Sequence, residues 1–375
     1  MNSTVIAAYR RTPFTLANKG ALARTRPDDL AVAAVRGVLH GSGIDGGMLE
    51  DLILGCAFPE GEQGFNMARM VVLLSGLPQS VAGTTVNRFC GSSMQAIHQA
   101  AGAIEMGAGE AFICAGVESM SRVPMTGFNP MPNPRLAADL PAAYMSMGET
   151  AENLARLHAI SRQQQEAFAL ASHQKAAAAQ KSGKFDDELV PLDGVTQDGC
   201  IRAETTLEAL AELAPAFDAG GSVTAGTSSP LTDGAAALLV CSEAFAERLG
   251  LPKLARIRSI AVSGCAPEIM GIGPVVATQK ALARAGLQIG DIDLVELNEA
   301  FASQSIVCLR ELGIDAERVN LDGGAIALGH PLGASGARIT GKAAALLRRE
   351  GGRFALATQC IGGGQGIATI LEAVQ

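Results

Sequence analysis

No tryptophan occurs among the 375 residues, and only 2 tyrosines and 5 histidines do. Charge is scarce too: Asp, Glu, Lys and Arg make up 18% of the chain, with 37 acidic residues against 29 basic and a formal net charge of −8. A polyanionic partner needs clustered Lys and Arg, and no such cluster occurs, which argues against nucleic acid. A membrane span needs about 18 consecutive apolar residues, and no run comes near that length. At the start, Met1-Asn2-Ser3-Thr4-Val5-Ile6 meets Arg10-Arg11 before a signal-like apolar core can form. The expectation is a soluble, cytoplasmic protein with no membrane association. The cysteines, at 56, 90, 114, 200, 241, 265, 308 and 360, include no CxxC pair and have no histidine at metal-ligand spacing. Neither a metal site nor a disulfide framework is indicated, and free thiols suit a reducing compartment.

What the chain does have is small and apolar residues, 48% hydrophobic with 44 glycines. That is the makeup of a compact enzyme with closely packed helices, and the length suffices for two sizeable cores. Val5 to Ala8 reads as a short strand. Pro27 to Leu39 reads as a helix with Leu30, Ala33, Ala34 and Val38 on one face, stopped by Gly41 and Gly43. Glu50 to Cys56 is a buried strand, Asn66 to Ser75 a helix, and Ala111 to Gly116 another buried strand. Strand, helix, strand is the rhythm of a parallel sheet.

Far downstream, Val275 to Val295 repeats the order of Leu30 to Ile53: helix, glycine turn, acidic residue, apolar strand. The chain thus reads as two copies of one unit, and a strand-to-helix corner in the first copy should have an equivalent in the second. Phe354 to Gly362, a strand ending in Cys360, lies near that place. Between the copies, Met120 to Met147 carries Pro124, Pro130, Pro132, Pro134 and Pro141, so it reads as a loop-rich excursion; Glu149 to Gln180 reads as helical. The chain returns through Val223 to Ser229 and the strand Ala235 to Val240, with a boundary near Gly250-Leu251-Pro252.

Thr85 to Ile97 is an apolar run that breaks at Cys90 and continues into a helical pattern. A thiol at a helix start meets unpaired N–H groups and the positive end of the dipole, which lower its pKa toward neutrality and make a nucleophile. On this stretch alone a buried structural cysteine is an equal alternative. Three later stretches break the tie. Asn298-Glu299-Ala300-Phe301 follows the strand Leu294 to Leu297, at the carboxyl end where open α/β sheets place ligands. Asn320 to Arg338 holds His330 between Gly329 and Pro331 in a glycine-dense loop. Cys360 to Gly366 is a second cysteine followed by glycines that let backbone N–H groups approach a ligand oxygen. Two thiols, an imidazole and an amide are the parts thioester chemistry needs.

These four boxes resemble those of the thiolases, the acyl-CoA:acetyl-CoA C-acyltransferases, over nearly the whole chain and in the family's order. Val86 to Ser92 matches the acylated-cysteine signature, Asn298 to Phe301 the NEAF box, Gly323 to Pro331 the histidine box, and Cys360 to Gly364 the C-terminal cysteine box. The resemblance implies thiolytic cleavage of 3-ketoacyl-CoA by CoA, reversibly, through an S-acyl cysteine. It makes Cys90 the nucleophile, His330 its base and Cys360 the acid/base for the α-proton of acetyl-CoA. Asn298, holding a water, and His330 would form one oxyanion site; the N–H groups of Cys90 and Gly362 would form the other. CoA contacts fall on Met147, Arg202, Ala225, Ser229, Met270 and Phe301. No cofactor is bound permanently, and coenzyme A is a substrate.

The implied fold is α/β: duplicated, doubly wound βαβ halves in a five-layer αβαβα core with an inserted loop domain. Residues 1–119 would be the first part of the N-terminal half, 120–222 the loop domain, 223–250 the return strand and helix, and 251–375 the C-terminal half. Ser93, where many members carry Gly, points to the degradative, fatty-acid β-oxidation branch; Ser146 stands where short-chain biosynthetic members carry His. The segment from Val190 to Arg202 is shorter than the family pattern. A short-chain biosynthetic acetoacetyl-CoA thiolase is the alternative within the family. A condensing enzyme acting on carrier-protein thioesters would replace Cys360, and a non-catalytic homologue would lose Cys90 or His330. Family members pair through the sheet beside the nucleophile helix, so a homodimer is expected, or a homotetramer joined through the loop excursion, with a β-oxidation enzyme as a further partner.

Overall fold

A computed structural model describes residues 3–374; Met1 and Asn2 of the opening run lie outside the described residues. Ten strands form in chain order: β1 (Thr4–Arg11), β2 (Thr15–Leu16), β3 (Asp51–Gly55), β4 (Ala82–Val86), β5 (Ala111–Ser119), β6 (Thr232–Ser242), β7 (Ala255–Gly264), β8 (Leu294–Leu297), β9 (Phe354–Ile361) and β10 (Gln365–Glu372). They run in the order β4-β3-β5-β6-β1-β7-β10-β9-β8, with β2 beside β6. Between the two halves of this path the ladder joins Val5 to Arg256 and Ile6 to Ala255. The parallel rhythm holds toward the ends, where β3 runs parallel to β4 and β5 and β8 to β9. The middle strands β6, β1, β7 and β10 pair antiparallel, which the apolar runs alone do not reveal.

Three apolar layers follow from this order. One outer core packs the helices Pro27–Ser42 and Met67–Ser75 on the first half-sheet. The other packs Gly273–Ala285 and Ala302–Leu312 on the second. Between the half-sheets lie Ser92–Glu105 and Leu332–Glu350, sharing one core through Met94, Ile97, Ala334 and Ala337. Helix, sheet, helix, sheet, helix is the five-layer arrangement. The first helix starts on Pro27 with Asp28 and Asp29 in its first turn, runs through Gly41, and ends only where Gly43 takes φ +66°. The stretch from Glu149 to Gln180, read as helical, forms two helices, Met147–Leu157 and Arg162–Lys181, each opened by a capping box on Ser146 or Ser161.

The internal repeat is present as read: helix, short turn and β3 in one half, helix, short turn and β8 in the other. Its mapping differs from expectation. Gly55 pairs with Gly116 and Leu297 with Thr358, so Glu118 on β5, two residues on, is matched by Cys360 on β9. The true equivalent of the Cys90 corner is the Gly329-His330-Pro331 loop, since Cys90 and His330 each stand two residues before a central helix. Cys360 lies within a strand because β9 continues to Ile361 before turning into β10.

Candidate active site

Cys90 sits in a single 3-10 turn, Phe89–Gly91, between the end of β4 and the Ser92–Glu105 helix. Phe89 has φ +43°, a region non-glycine residues rarely adopt, and local bonds hold it there. Asn87 Oδ1 accepts the Phe89 N–H at 2.8 Å, and Ser92 Oγ accepts the Arg88 N–H at 2.9 Å while donating to the Phe89 carbonyl at 2.6 Å. Close approach does the rest. A Cβ on Gly116 would come within 2.1 Å of the Gly333 carbonyl and 2.5 Å of Ser93 Cβ, so both central helices lie directly on β5. Ser93 Oγ accepts the Ala337 N–H at 2.8 Å, tying the nucleophile helix to the histidine helix.

The thiol is not lowered toward neutrality. Burial pushes Cys90 up to about 12, opposed by the N–H groups of Gly362 and of Cys90 itself, while the Glu118 charge adds to the rise. The helix start supplies donors, as expected, but desolvation in a site sealed by Ala57, Met120, Leu332, Phe58, Met125 and Met147 is the larger effect. Burial likewise raises Cys360 well above an ordinary thiol, and the neighbouring Cys90 adds to it. The free site therefore holds two neutral thiols.

His330 is held at both ring nitrogens. Ser335 Oγ gives its one proton to the Pro331 carbonyl at 3.0 Å, so at Nδ1, 2.5 Å away, it can only accept. Nδ1 thus carries the proton and Nε2 the lone pair, facing Asn298 Nδ2 at 3.3 Å. Burial, aided by the Arg338 charge, lowers the imidazole to about 3. The result is a neutral base with a fixed tautomer. Asn298 keeps its Oδ1 buried and unpartnered, a polar atom available to a ligand.

Cys360 packs with Ala151, Val223, Met270, Ala300 and Phe301, and Met147 touches both this cluster and the one around Cys90. Of the residues expected on the CoA side, Met147, Met270 and Phe301 therefore converge on the thiols. Ser229 is tied to them by donating its N–H to the Ala300 carbonyl at 3.0 Å. Ala225 and Arg202 stand exposed outside the cluster, Arg202 with its N–H on His173 Nδ1 at 3.2 Å and no ion pair among the described residues. Ser146 caps a helix.

Three residues escaped the sequence. Ser335 fixes the tautomer of His330. Glu118, fully buried, accepts the N–H groups of Ala57 at 2.8 Å, Phe58 at 3.2 Å and Gly333 at 2.9 Å, and the Gln63 amide at 2.7 Å, binding the first turn of the histidine helix to the other half. Gln359 donates from Nε2 to the Cys90 carbonyl at 2.6 Å. Only Gln359, a polar residue in an apolar strand beside Cys360, carried a visible signal.

Two family models cover the chain: "Thiolase, N-terminal domain" matches residues 4–244 and "Thiolase, C-terminal domain" residues 251–373. A 3-ketoacyl-CoA thiolase of Aliivibrio fischeri is 52% identical over 386 residues, spanning 99% of this chain and 100% of the relative. One of Bacillus subtilis is 49% identical over 389 residues, with the same coverage. A crystal structure of human mitochondrial 3-ketoacyl-CoA thiolase in complex with CoA superposes with a TM-score of 0.93 at 39% identity, covering 100% of this chain and 98% of that one.

Proposed function

The chain belongs to the thiolase family, and from that membership we propose that it cleaves 3-ketoacyl-CoA with CoA, giving acetyl-CoA and an acyl-CoA shortened by two carbons. His330 Nε2 takes the Cys90 proton, and the sulfur attacks the C3 carbonyl carbon. Charge on the C3 oxygen rests at the N–H groups of Cys90 and Gly362. As that carbonyl re-forms, the C2–C3 bond breaks and its electron pair passes into the thioester enolate, whose oxygen is met by His330 and by the water that Asn298 would hold. Cys360 gives its proton to C2, and acetyl-CoA leaves. The Cys360 thiolate then takes the proton of an incoming CoA thiol, whose sulfur attacks the acyl carbon on Cys90. Acyl-CoA departs, and the Cys90 sulfur recovers its proton from His330. Met147, Met270, Phe301, Ser229 and Ala225 flank the pantetheine arm, and Arg202, exposed and without an ion pair among the described residues, meets the CoA phosphates.

The observation that carries this reading is the convergence of the two thiols: Met147 packs against the clusters of both, and Gln359, next to Cys360, reaches the Cys90 carbonyl at 2.6 Å. We assign the reaction to fatty-acid β-oxidation in the cytoplasm; the free cysteines agree with a reducing compartment. A series of 3-ketoacyl-CoA substrates, followed by loss of enolate absorbance with CoA, should give higher kcat/KM for 3-ketodecanoyl-CoA than for acetoacetyl-CoA. Equal or better activity on acetoacetyl-CoA would return the short-chain alternative.

The same reading includes the domain division 1–119, 120–222, 223–250 and 251–375, and a homodimer across β4. That strand ends the sheet, pairs among the described residues with β3 alone, and stands beside exposed Leu73, Leu74 and Phe65, the last 91% exposed. A second contact, making a tetramer, would use Phe128, Met131 and Tyr144 of the excursion. Light scattering at micromolar concentration tests both: a single-chain mass overturns the dimer, and an assembly unchanged by deleting the excursion overturns its role.

A further inference from the structure

Four consecutive residues of one strand end meet the nucleophile corner in different ways. The Cβ of Gly91, if it had one, would strike Ile361 at 2.7 Å, so Ile361 and Gln359 face the corner from the same side of the pleat. Cys360, between them, faces the cluster of Met270 and Phe301. A Cβ on Gly362 would lie 3.8 Å from the Phe89 ring, and the Gly362 N–H opposes the rise of the Cys90 thiol. Gln359 alone grips the backbone of the nucleophile itself, its Nε2 lying 2.6 Å from the Cys90 carbonyl oxygen.

A carbonyl can only accept, so the amide must present its NH2 there. That orientation leaves Gln359 Oε1 buried with no partner among the described residues, in a residue with no exposed surface. An unpaired buried acceptor is destabilising, and an apolar side chain of equal length would fill the space without it. Gln359 is thus poorly explained as packing. The corner it holds needs an outside grip, because Phe89 sits at φ +43° immediately before Cys90, and the local bonds of Asn87 and Ser92 end at Arg88 and Phe89.

We propose that Gln359 is a positioning residue for the nucleophile: by holding the Cys90 carbonyl, it sets where the Cys90 sulfur lies relative to the Gly362 N–H and the Cys360 thiol. This rests on the thiolase reading above. The two reactive sulfurs belong to opposite halves of the chain, and the Gln359 bond makes the strand that carries one of them register the other. Misplacing a reacting atom by about 1 Å can cost up to roughly a hundredfold in rate.

The test uses the full chain with Gln359→Met and Gln359→Glu. In Gln359→Met the melting temperature should hold or rise, KM for CoA should stay unchanged, and kcat should fall about tenfold, in line with that geometric sensitivity. Acetyl transfer from acetyl-CoA to Cys90, followed by intact mass, should slow in step. In Gln359→Glu a protonated carboxyl can donate to the Cys90 carbonyl, whereas the carboxylate repels it. Its activity relative to wild type should therefore fall as pH rises through the new carboxyl's pKa, while the Gln359→Met ratio stays flat. Wild-type kcat and acetylation rate in Gln359→Met overturn the proposal. If that variant does not fold, a pH-independent activity ratio in Gln359→Glu overturns it. A wild-type enzyme that does not cleave 3-ketoacyl-CoA would instead defeat the functional reading, so the two failures are separable.

Discussion

Laid over one another, the two halves agree in backbone and part company in chemistry. The residue after β3 is Cys56 and the residue after β8 is Asn298; two residues before the central helices stand Cys90 and His330; two past the matched pairs Gly55–Gly116 and Leu297–Thr358 stand Glu118 and Cys360. In the first half two of the three are committed to architecture. Glu118 accepts five donors, one of them the Cys56 thiol at 3.7 Å. In the second half Asn298 keeps an unpartnered oxygen, and Cys360 lies in an apolar cluster beside Cys90. A duplicated scaffold brings six matched positions to one place. The division of labour then comes from which side chains spend their hydrogen-bonding capacity on the fold.

The largest effect should come from the reactive side of that division. Cys90→Ala should show no acetyl adduct by intact mass after incubation with acetyl-CoA, and no turnover. Cys360→Ala should still accept the acetyl group yet lose carbon–carbon bond cleavage by about 10²- to 10⁴-fold, the range for removing a general acid/base. Both should melt within a few degrees of wild type, since each replaces a small buried thiol. A folded Cys360→Ala protein without an adduct would erase the contrast between the two thiols.

Glu118, the match of Cys360, should behave in the opposite way. Glu118→Gln puts an NH2 where a carboxylate oxygen accepts N–H groups, leaving at least one buried donor facing another. The expected loss is about 2–4 kcal/mol of unfolding free energy, from one or two unsatisfied buried groups, read from the urea midpoint. Residual acetylation of Cys90 should persist under conditions where the variant is folded. Unchanged stability with activity lost by 10²-fold or more would move Glu118 from the scaffold to the chemistry.

Much of this was legible in the sequence. The Cys90 corner, the repeated helix-turn-strand unit and the convergence of four boxes all rest on local pattern, and local pattern survives folding. What the sequence hid depends on contact across the chain. The rise of the Cys90 thiol comes from side chains as distant as Met147 and Leu332 closing over it. Glu118 looks like the end of an apolar strand until its carboxylate meets Gly333 of the other half. In sequence a strand ending in Cys360 lies near the place expected for the equivalent of the Cys90 corner, while the registers of β3 on β5 and β8 on β9 assign it to the place of Glu118.

The smallest expected effect concerns the central helices, whose seventh residues are His98 and Arg338. Both are buried, but Arg338 is charged and paired with Glu296 at 3.2 Å, while His98 is held neutral, its Nε2 2.8 Å from Thr369 Oγ1. Burial lowers the His98 imidazole to about 3, with the charges of Arg88 and Arg284 adding to the shift. An unfolded histidine takes its proton near pH 6.5. Between those values the unfolded chain binds a proton that the folded one refuses, so the stability His98 contributes is complete above about pH 6.5 and drains away as pH falls toward 3. The slope is at most about 1.4 kcal/mol per pH unit for one group. His98→Asn keeps a side chain able to bond Thr369 and cannot be protonated, so its urea midpoint should fall less steeply than wild type between pH 6.5 and 5. His330, lowered to about 3 by burial, gives the same sign in the other half and remains in the variant. The acid dependence should therefore be reduced, not abolished. Parallel wild-type and His98→Asn curves over that range would show that His98 takes up its proton in the folded state, and the contrast between the two helices would then be one of partner alone.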